Sequence, residues 1–171
     1  MVALHHHILP AAPPLTIRDL GPADEGLLDA LHEALSPRSR YQRYHGPKPQ
    51  LAPRERAYLA ATDGHDHVAL VALAGATPVA AARFVRLRDD PCVADIAAEV
   101  VDPRQRQGIG SDLVARLARR AAAVGVRRFT ATVLSETGLR RSLVRRGWRL
   151  VGADGPSATL EIDVWALLRP R

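Results

Sequence analysis

Two adjacent stretches of this chain carry residue types that can do chemistry. The first is Asp95-Ile-Ala-Ala-Glu99-Val-Val101, an apolar run interrupted by two acids. Side chains alternate along an extended strand, so Asp95, Ala97 and Glu99 fall on one face and Ile96, Ala98 and Val100 on the other. Two carboxylates on one face suit proton transfer, and they equally suit pairing with Arg83 or Arg86 on a neighbouring strand. The second stretch is Gln105-Arg106-Gln107-Gly108-Ile109-Gly110-Ser111, a Gln-x-x-Gly-x-Gly pattern between a strand-like segment and an amphipathic helix. The first N–H groups of a helix have no intrahelical partner and carry the positive end of its dipole, so such a junction can hold a pyrophosphate. Gly108 and Gly110 would let ligand and backbone approach closely.

A dinucleotide-binding reading of the glycines fails on its second element. That fold needs an acidic residue about 20 positions on to bind a ribose, and here Arg127, Arg128 and Phe129 stand there. The phosphate reading remains, and charge supports it. Twelve arginines between Arg104 and Arg149 face only Asp112 and Glu136, a net of +10, whereas the rest of the chain carries 12 basic and 16 acidic residues, a net of −4. A field of one sign draws a polyanion to this region. Global basicity says less, because Lys48 is the only lysine among the 24 basic residues and arginine bias explains the excess.

The elements that must position these residues can be read from periodicity. Leu15 to Leu20 reads as a strand, and Pro22 suits the first turn of a helix carrying Leu27, Leu28, Leu31 and Leu35, stopped by Ser36-Pro37. Arg38 to Pro53 reads as a short helix plus a loop, followed by a helical piece near Arg54 to Ala61. His67 to Ala74, Pro78 to Leu87 and Cys92 to Val101 read as three strands of an antiparallel meander. The helix from Gly108 to Val124 puts Ile109, Leu113, Leu117 and Ala121 on one face and Arg116, Arg119 and Arg120 outside it. A strand over Arg127 to Leu134, a helix over Thr137 to Arg146 with Leu139 and Leu143 inward, and two strands ending near Val164 complete the order. No repeat or linker divides it, so one domain over 15–171 is expected, preceded by a flexible arm over 1–14.

At 171 residues an ordinary core is affordable without a staple. The single cysteine, Cys92, excludes an internal disulfide, and no Cys/His spacing suggests zinc, so a cytoplasmic setting is expected. The N-terminus lacks the pattern of a signal peptide, and no apolar run reaches the ~20 residues of a membrane span. Neither a membrane nor a nucleic acid is expected as partner. Arg140-Arg141 and Arg145-Arg146 resemble a nucleic-acid patch, yet helical spacing with Leu139 and Leu143 inward reads as an exposed basic face. His65, Asp66 and His67 read as a surface turn, since adjacent side chains point apart, and no metal is expected. Tyr41 and Tyr44 among Arg38, Arg40 and Arg43 either line an acceptor groove or give one buried tyrosine face with solvated arginines.

In element order and in the place of its glycine loop the chain resembles the GCN5-related N-acetyltransferases (GNAT). Their fold is α/β (α+β), a mixed, mostly antiparallel twisted sheet of about seven strands flanked by about four helices. Within that superfamily it looks closest to bacterial Pat-type protein-lysine acetyltransferases. Ser39-Arg-Tyr-Gln-Arg-Tyr44 with Pro47-Lys-Pro49, Ala81-Ala-Arg-Phe-Val-Arg86, and Ala94-Asp-Ile-Ala97 carry that closer match.

The resemblance implies acetyl-CoA as cosubstrate. Val100 and Val101 would offer backbone groups to its pantetheine arm, and Arg106, Gln107, Gly108, Ile109, Gly110 and Ser111 would wrap the pyrophosphate. Arg104, Arg140 or Arg141 would reach the adenosine phosphates. Asp95 aligns with the glutamate that serves such enzymes as general base, and, being one methylene shorter, it would act through a bridging water or with Glu99 as helper. An oxyanion donor is expected from a backbone N–H near Val100 or Val101, where the strand should splay. Two departures stand out: Thr137 occupies the place of a coenzyme-binding asparagine, and Leu143 that of a tyrosine that reprotonates the thiolate. The expected activity is acetylation of a protein lysine by direct attack in a ternary complex. The alternatives are a small-molecule amine acetyltransferase and a non-catalytic acyl-CoA-binding regulatory module. Only fourteen residues precede the first strand, which leaves no room for the fused sensing domain that Pat-type proteins often carry.

Overall fold

The computed structural model describes residues 14–169, so most of the arm expected over 1–14 and the last two residues of the expected domain lie outside the described residues. Seven strands form one sheet in the order β1-β2-β3-β4-β5-β7-β6. They are β1 (Leu15–Asp19), β2 (His67–Ala74), β3 (Thr77–Arg86), β4 (Val93–Val100), β5 (Arg128–Leu134), β6 (Arg149–Asp154) and β7 (Ser157–Asp163). The five helices are α1 (Glu25–Ala34), α2 (Pro37–Tyr44), α3 (Pro53–Ala60), α4 (Ile109–Ala123) and α5 (Gly138–Arg145). The expected meander is present, β2 to β4 pairing antiparallel in sequence order. Five α-helices stand among the described residues where the family resemblance implied about four, the two helical pieces read between Arg38 and Ala61 being α2 and α3.

All pairings are antiparallel except that of β4 with β5. Two strands that run parallel need a long crossover, and α4 supplies it. The ladder between them is short: only Val93, Ala94 and Asp95 pair with Arg128, Phe129 and Thr130. Beyond Asp95 the strands part, and the sheet opens at their carboxyl ends.

The core explains why the other pairs hold. Helix α4 lays Ile109, Leu113, Leu117, Ala118 and Ala121 against Phe84, Ile96 and Phe129, and Leu113, Leu117 and Ala121 have no exposed surface. The four-residue spacing thus gives a continuous apolar stripe, with Arg116, Arg119 and Arg120 exposed as expected. A second cluster joins Leu20, Leu28, Leu51 and Leu59 to Ala69 and Val71 of β2.

Helix α5 departs from expectation. Leu143 packs against the core, but Leu139 is 49% exposed. This eight-residue helix touches the core with its C-terminal turn only, so the turn carrying Leu139 stands away from it. No helix among the described residues is long and apolar enough to cross a membrane.

Candidate active site

The opening between β4 and β5 collects the residues singled out above. The register pairs Asp95 with Val85 and Glu99 with Ala81, so both acids share a face, with Arg83 between them opposite Ala97. Ile96 turns the other way into the core at 6% exposure.

The two carboxylates have different settings. Asp95 is exposed to solvent, and its near partner is the Thr130 hydroxyl, which donates to Oδ1 at 3.5 Å. Although solvent reaches its surface, the protein packed around its carboxylate desolvates it and raises its pKa above the ordinary value, and the charge of Arg43 and the Thr130 donor pull it back in part. Glu99 has a side chain only 8% exposed, with Oε2 3.5 Å from Arg43 Nε. The Tyr44 hydroxyl donates to the same oxygen at 3.5 Å, a long contact. Arg83 is 5% exposed and donates through Nη1 to the Leu59 carbonyl at 2.6 Å. Burial draws its pKa down to about 10, an effect that the nearby charge of Glu99 offsets in part.

Neither acid forms the expected pair with Arg86, which reaches Asp66 instead at 2.9 Å. In α2, Tyr44 is half-buried and Tyr41 exposed, which fits one inward tyrosine face. The expectation of solvated arginines fails for Arg43, which turns inward to Glu99.

The glycine loop is shaped for close approach. Gly108 has φ +85°, a conformation that favours glycine, and Arg106 adopts φ 61°. The first helical bond of α4 runs from Asp112 N–H to Gly108 O at 3.0 Å. The amides of Ile109, Gly110 and Ser111 therefore precede any intrahelical partner. A Cβ on Gly110 would lie 3.4 Å from Val100 Cγ2. Loop, helix start and the end of β4 are thus packed together.

Val101, like Val100, is expected to offer backbone groups to the coenzyme, and within the fold both of its own are hydrogen-bonded. Its N–H donates to Val79 O and its carbonyl accepts from Arg104 N–H, both at 2.9 Å, so both of its backbone groups are engaged. Because Val101 bonds toward β3, the alternation of the ladder turns the N–H and C=O of Val100 toward the opening. That carbonyl accepts from Gln105 Nε2 at 3.0 Å.

Thr137 and Arg141 stand apart from the loop. They line an open concavity beside the start of α5 with Arg140 and Arg145, and the Thr137 hydroxyl donates to Leu134 O at 2.7 Å. The direct link between α5's end and the loop is Arg146, whose Nη1 donates to Ser111 Oγ at 2.7 Å. The expected surface turn holds for His65 and Asp66 but not for His67, which opens β2 and is 6% exposed; the Asp63 carboxylate accepts from the amides of all three at 2.8 Å.

Sequence reasoning missed one cluster. Asp102 accepts from Ser36 N–H at 2.9 Å, Ser36 Oγ at 2.8 Å and Ser39 Oγ at 2.9 Å. Those bonds hold its carboxyl below the ordinary range, the Ser36 amide contributing most. Gln105 Nε2 also donates to Ser39 Oγ at 3.2 Å. The readable signal was Ser36-Pro37, a helix start, where Ser36 Oγ caps Ser39 N–H at 3.1 Å.

A parallel strand pair parting at its carboxyl ends, followed by a glycine loop and crossover helix, is the architecture of an acyl-CoA-dependent transferase family. The sequence model of the Acetyltransferase (GNAT) family matches residues 28–148, and the chain belongs to that family. It is 40% identical over 110 residues to Acetyltransferase Pat of Mycolicibacterium smegmatis, a match covering 63% of this chain. The match spans about a third (33%) of that relative's length. The GNAT domain of S. lividans PAT superposes with a TM-score of 0.80 at 26% identity, covering 86% of this chain and 89% of that domain. The PaiA N-acetyltransferase of Thermoplasma acidophilum, solved in complex with coenzyme A, shares the fold with a TM-score of 0.69 at 14% identity, covering 88% of this chain and 99% of that one.

Proposed function

We propose that the protein transfers the acetyl group of acetyl-CoA to an amine, with a protein lysine side chain as acceptor, by direct attack in a ternary complex. The observation that carries this reading is the position of Asp95, a solvent-accessible carboxylate at the point where β4 and β5 part. An amine with a reference pKa of about 10.4 is mostly ammonium at neutral pH and must lose a proton to attack. A carboxylate whose own pKa is raised is a better acceptor for it. As nitrogen bonds to the thioester carbon, negative charge develops on the carbonyl oxygen, and the Val100 N–H is the donor turned toward it. The attacking nitrogen, now positively charged, gives its second proton to solvent, the intermediate collapses, the carbon–sulfur bond breaks, and the thiolate takes a proton from solvent, since Leu143 has none to give.

The loop suits the coenzyme for reasons independent of kinship. The amides before Asp112, the left-handed Gly108 and the small Gly110 leave room and donors for a pyrophosphate. Ser111 would share that anion with Arg146, and Arg141, in the concavity it lines with Thr137, would serve the more distant phosphates. Likeness to Acetyltransferase Pat favours a protein lysine over a small amine.

The test is acetyl-CoA turnover, read as free thiol, for the wild type and Asp95→Asn against protein acceptors and a panel of small amines. Turnover on protein acceptors, abolished in Asp95→Asn while coenzyme still binds, is expected. Turnover on the amines alone would move the acceptor to small molecules. Tight coenzyme binding without turnover on any acceptor would make the chain an acyl-CoA-binding module.

A further inference from the structure

Helix α2 lies across the carboxyl ends of the two parting strands, and polar bonds attach it. At its start, Ser36 and Ser39 are bound to Asp102, just beyond β4. Near its end, Arg43 and Tyr44 converge on Glu99 of β4. The residue that closes it, His45, is held at φ 57° and places Nδ1 3.4 Å from Ser157 Oγ. Ser157 pairs in register with Leu134, the last residue of β5. The helix also touches both strands directly, yet none of its eight residues is buried. Tyr44, half-buried against the second core cluster, is its one apolar anchor, so the rest of its placement depends on its latches.

Among those latches Glu99 is the most enclosed. Its carboxylate is flanked by Arg43 on α2 and by the charge of Arg83 on β3, and Tyr44 directs a hydroxyl at it. Tyr44 keeps its proton, because burial and then Glu99 push its pKa up. A carboxylate so surrounded by donors is poorly placed to take a proton from an incoming amine. Asp95, one turn of the pleat away from these partners, is not so enclosed.

We propose that Glu99 is a positioning residue: it fastens α2 across the β4–β5 opening, and through α2 it sets how the acceptor amine reaches Asp95. The expectation that Glu99 assists as a second base is replaced by this role. The proposal rests on the acetyltransferase reading for its kinetic consequence, but not for the latch itself.

Two measurements keep these apart. The first is amide hydrogen exchange over residues 37–45 in the full chain, for the wild type, Glu99→Gln and Tyr44→Phe. Glu99→Gln retains the shape but loses the ion pair, so α2 amides are expected to exchange about tenfold faster while those of α4 are unchanged. Tyr44→Phe, which removes a single long contact, should produce a smaller increase. The second is steady-state kinetics with acceptor varied. Glu99→Gln is expected to raise acceptor KM about five- to tenfold with a much smaller change in kcat, and to leave the acid limb of the pH profile in place.

Unchanged exchange in α2 for both variants would overturn the latch. A collapse of kcat like that of Asp95→Asn, or a displaced acid limb, would return Glu99 to the proton-transfer chemistry and overturn the positioning role. If no acceptor is acetylated, the functional reading fails, and the exchange experiment still decides the latch.

Discussion

Thr130 of β5 and Asp95 of β4 occupy the last paired position of the sheet's one parallel junction, hydroxyl to carboxylate at 3.5 Å. The residue that ends the ladder is therefore also the exposed acid of the opening. Thr130 donates to the ionised form and so favours it. Thr130→Val removes the donor, leaves burial opposed by Arg43 alone, and raises the Asp95 pKa further. A base works only when deprotonated, so the acid limb of kcat/KM is expected to move to higher pH. A pH profile measured on both proteins checks it, and a downward or absent displacement would count against Asp95 as the base.

Asp95 should also cost stability. Its folded pKa is raised, so its contribution favours the native state when protonated and is lost as pH climbs from the unfolded value, about 3.9, through the folded one. Asp95→Asn, which cannot ionise, is expected to melt higher than the wild type at neutral pH. The difference should shrink as pH falls toward about 4 and vanish below it. Thermal melts across that range test it, and an equal or lower melting temperature at neutral pH would contradict it.

The two loop glycines should respond differently to one methyl group. Gly108 holds φ +85° with nothing near its Cβ position, whereas Gly110 would set a Cβ 3.4 Å from Val100 Cγ2, at the edge of ordinary contact. Gly108→Ala is strained by backbone conformation and is expected to cost about 1–2 kcal/mol in stability and to weaken coenzyme binding. Gly110→Ala should fold and bind nearly as the wild type does, while the branched Gly110→Val should not bind. Denaturant titration with calorimetric binding of coenzyme A separates the three.

Arg83 is buried at the centre of the sheet face, with Nη2 lacking a hydrogen-bond partner among the described residues. Its Nη1 holds the Leu59 carbonyl, and its charge faces Glu99. Arg83→Ala removes a buried cation, leaves Glu99 with Arg43 alone and opens a cavity, so a loss of about 3–5 kcal/mol is expected by denaturant unfolding. Arg83→Met, which fills the volume, should recover part of it.

These contrasts follow how far each feature is encoded locally. The meander, the stripe of α4 and the glycine loop were legible because each is set by spacing within one short segment. Leu139 misled because periodicity gives the apolar face of a helix but not its tilt, and α5 touches the core only near Leu143. The engagement of Val101 was hidden because the ladder's phase, not its residue types, decides which amides face β3. Arg83 left a signal that could have been used: a charge inside the run Val79 to Val85 demands a partner. For helix α2 only the start at Ser36-Pro37 and a short helix were legible, and not its place, since Pro37–Tyr44 has no apolar stripe and its attachment to Asp102 joins Ser36 to a residue 66 positions away.

The left-handed turn at Arg106 and Gly108 leads directly into α4. Its conformational strain is offset when the chain folds, chiefly by the anchoring of α4 through Ile109, Leu113 and Leu117, so an incoming pyrophosphate meets amides already oriented. Affinity for the donor is in this sense an outcome of core packing several turns distant. A conservative change such as Leu117→Ala, remote from every phosphate, should loosen the grip on coenzyme A through a higher dissociation rate before it unfolds the protein.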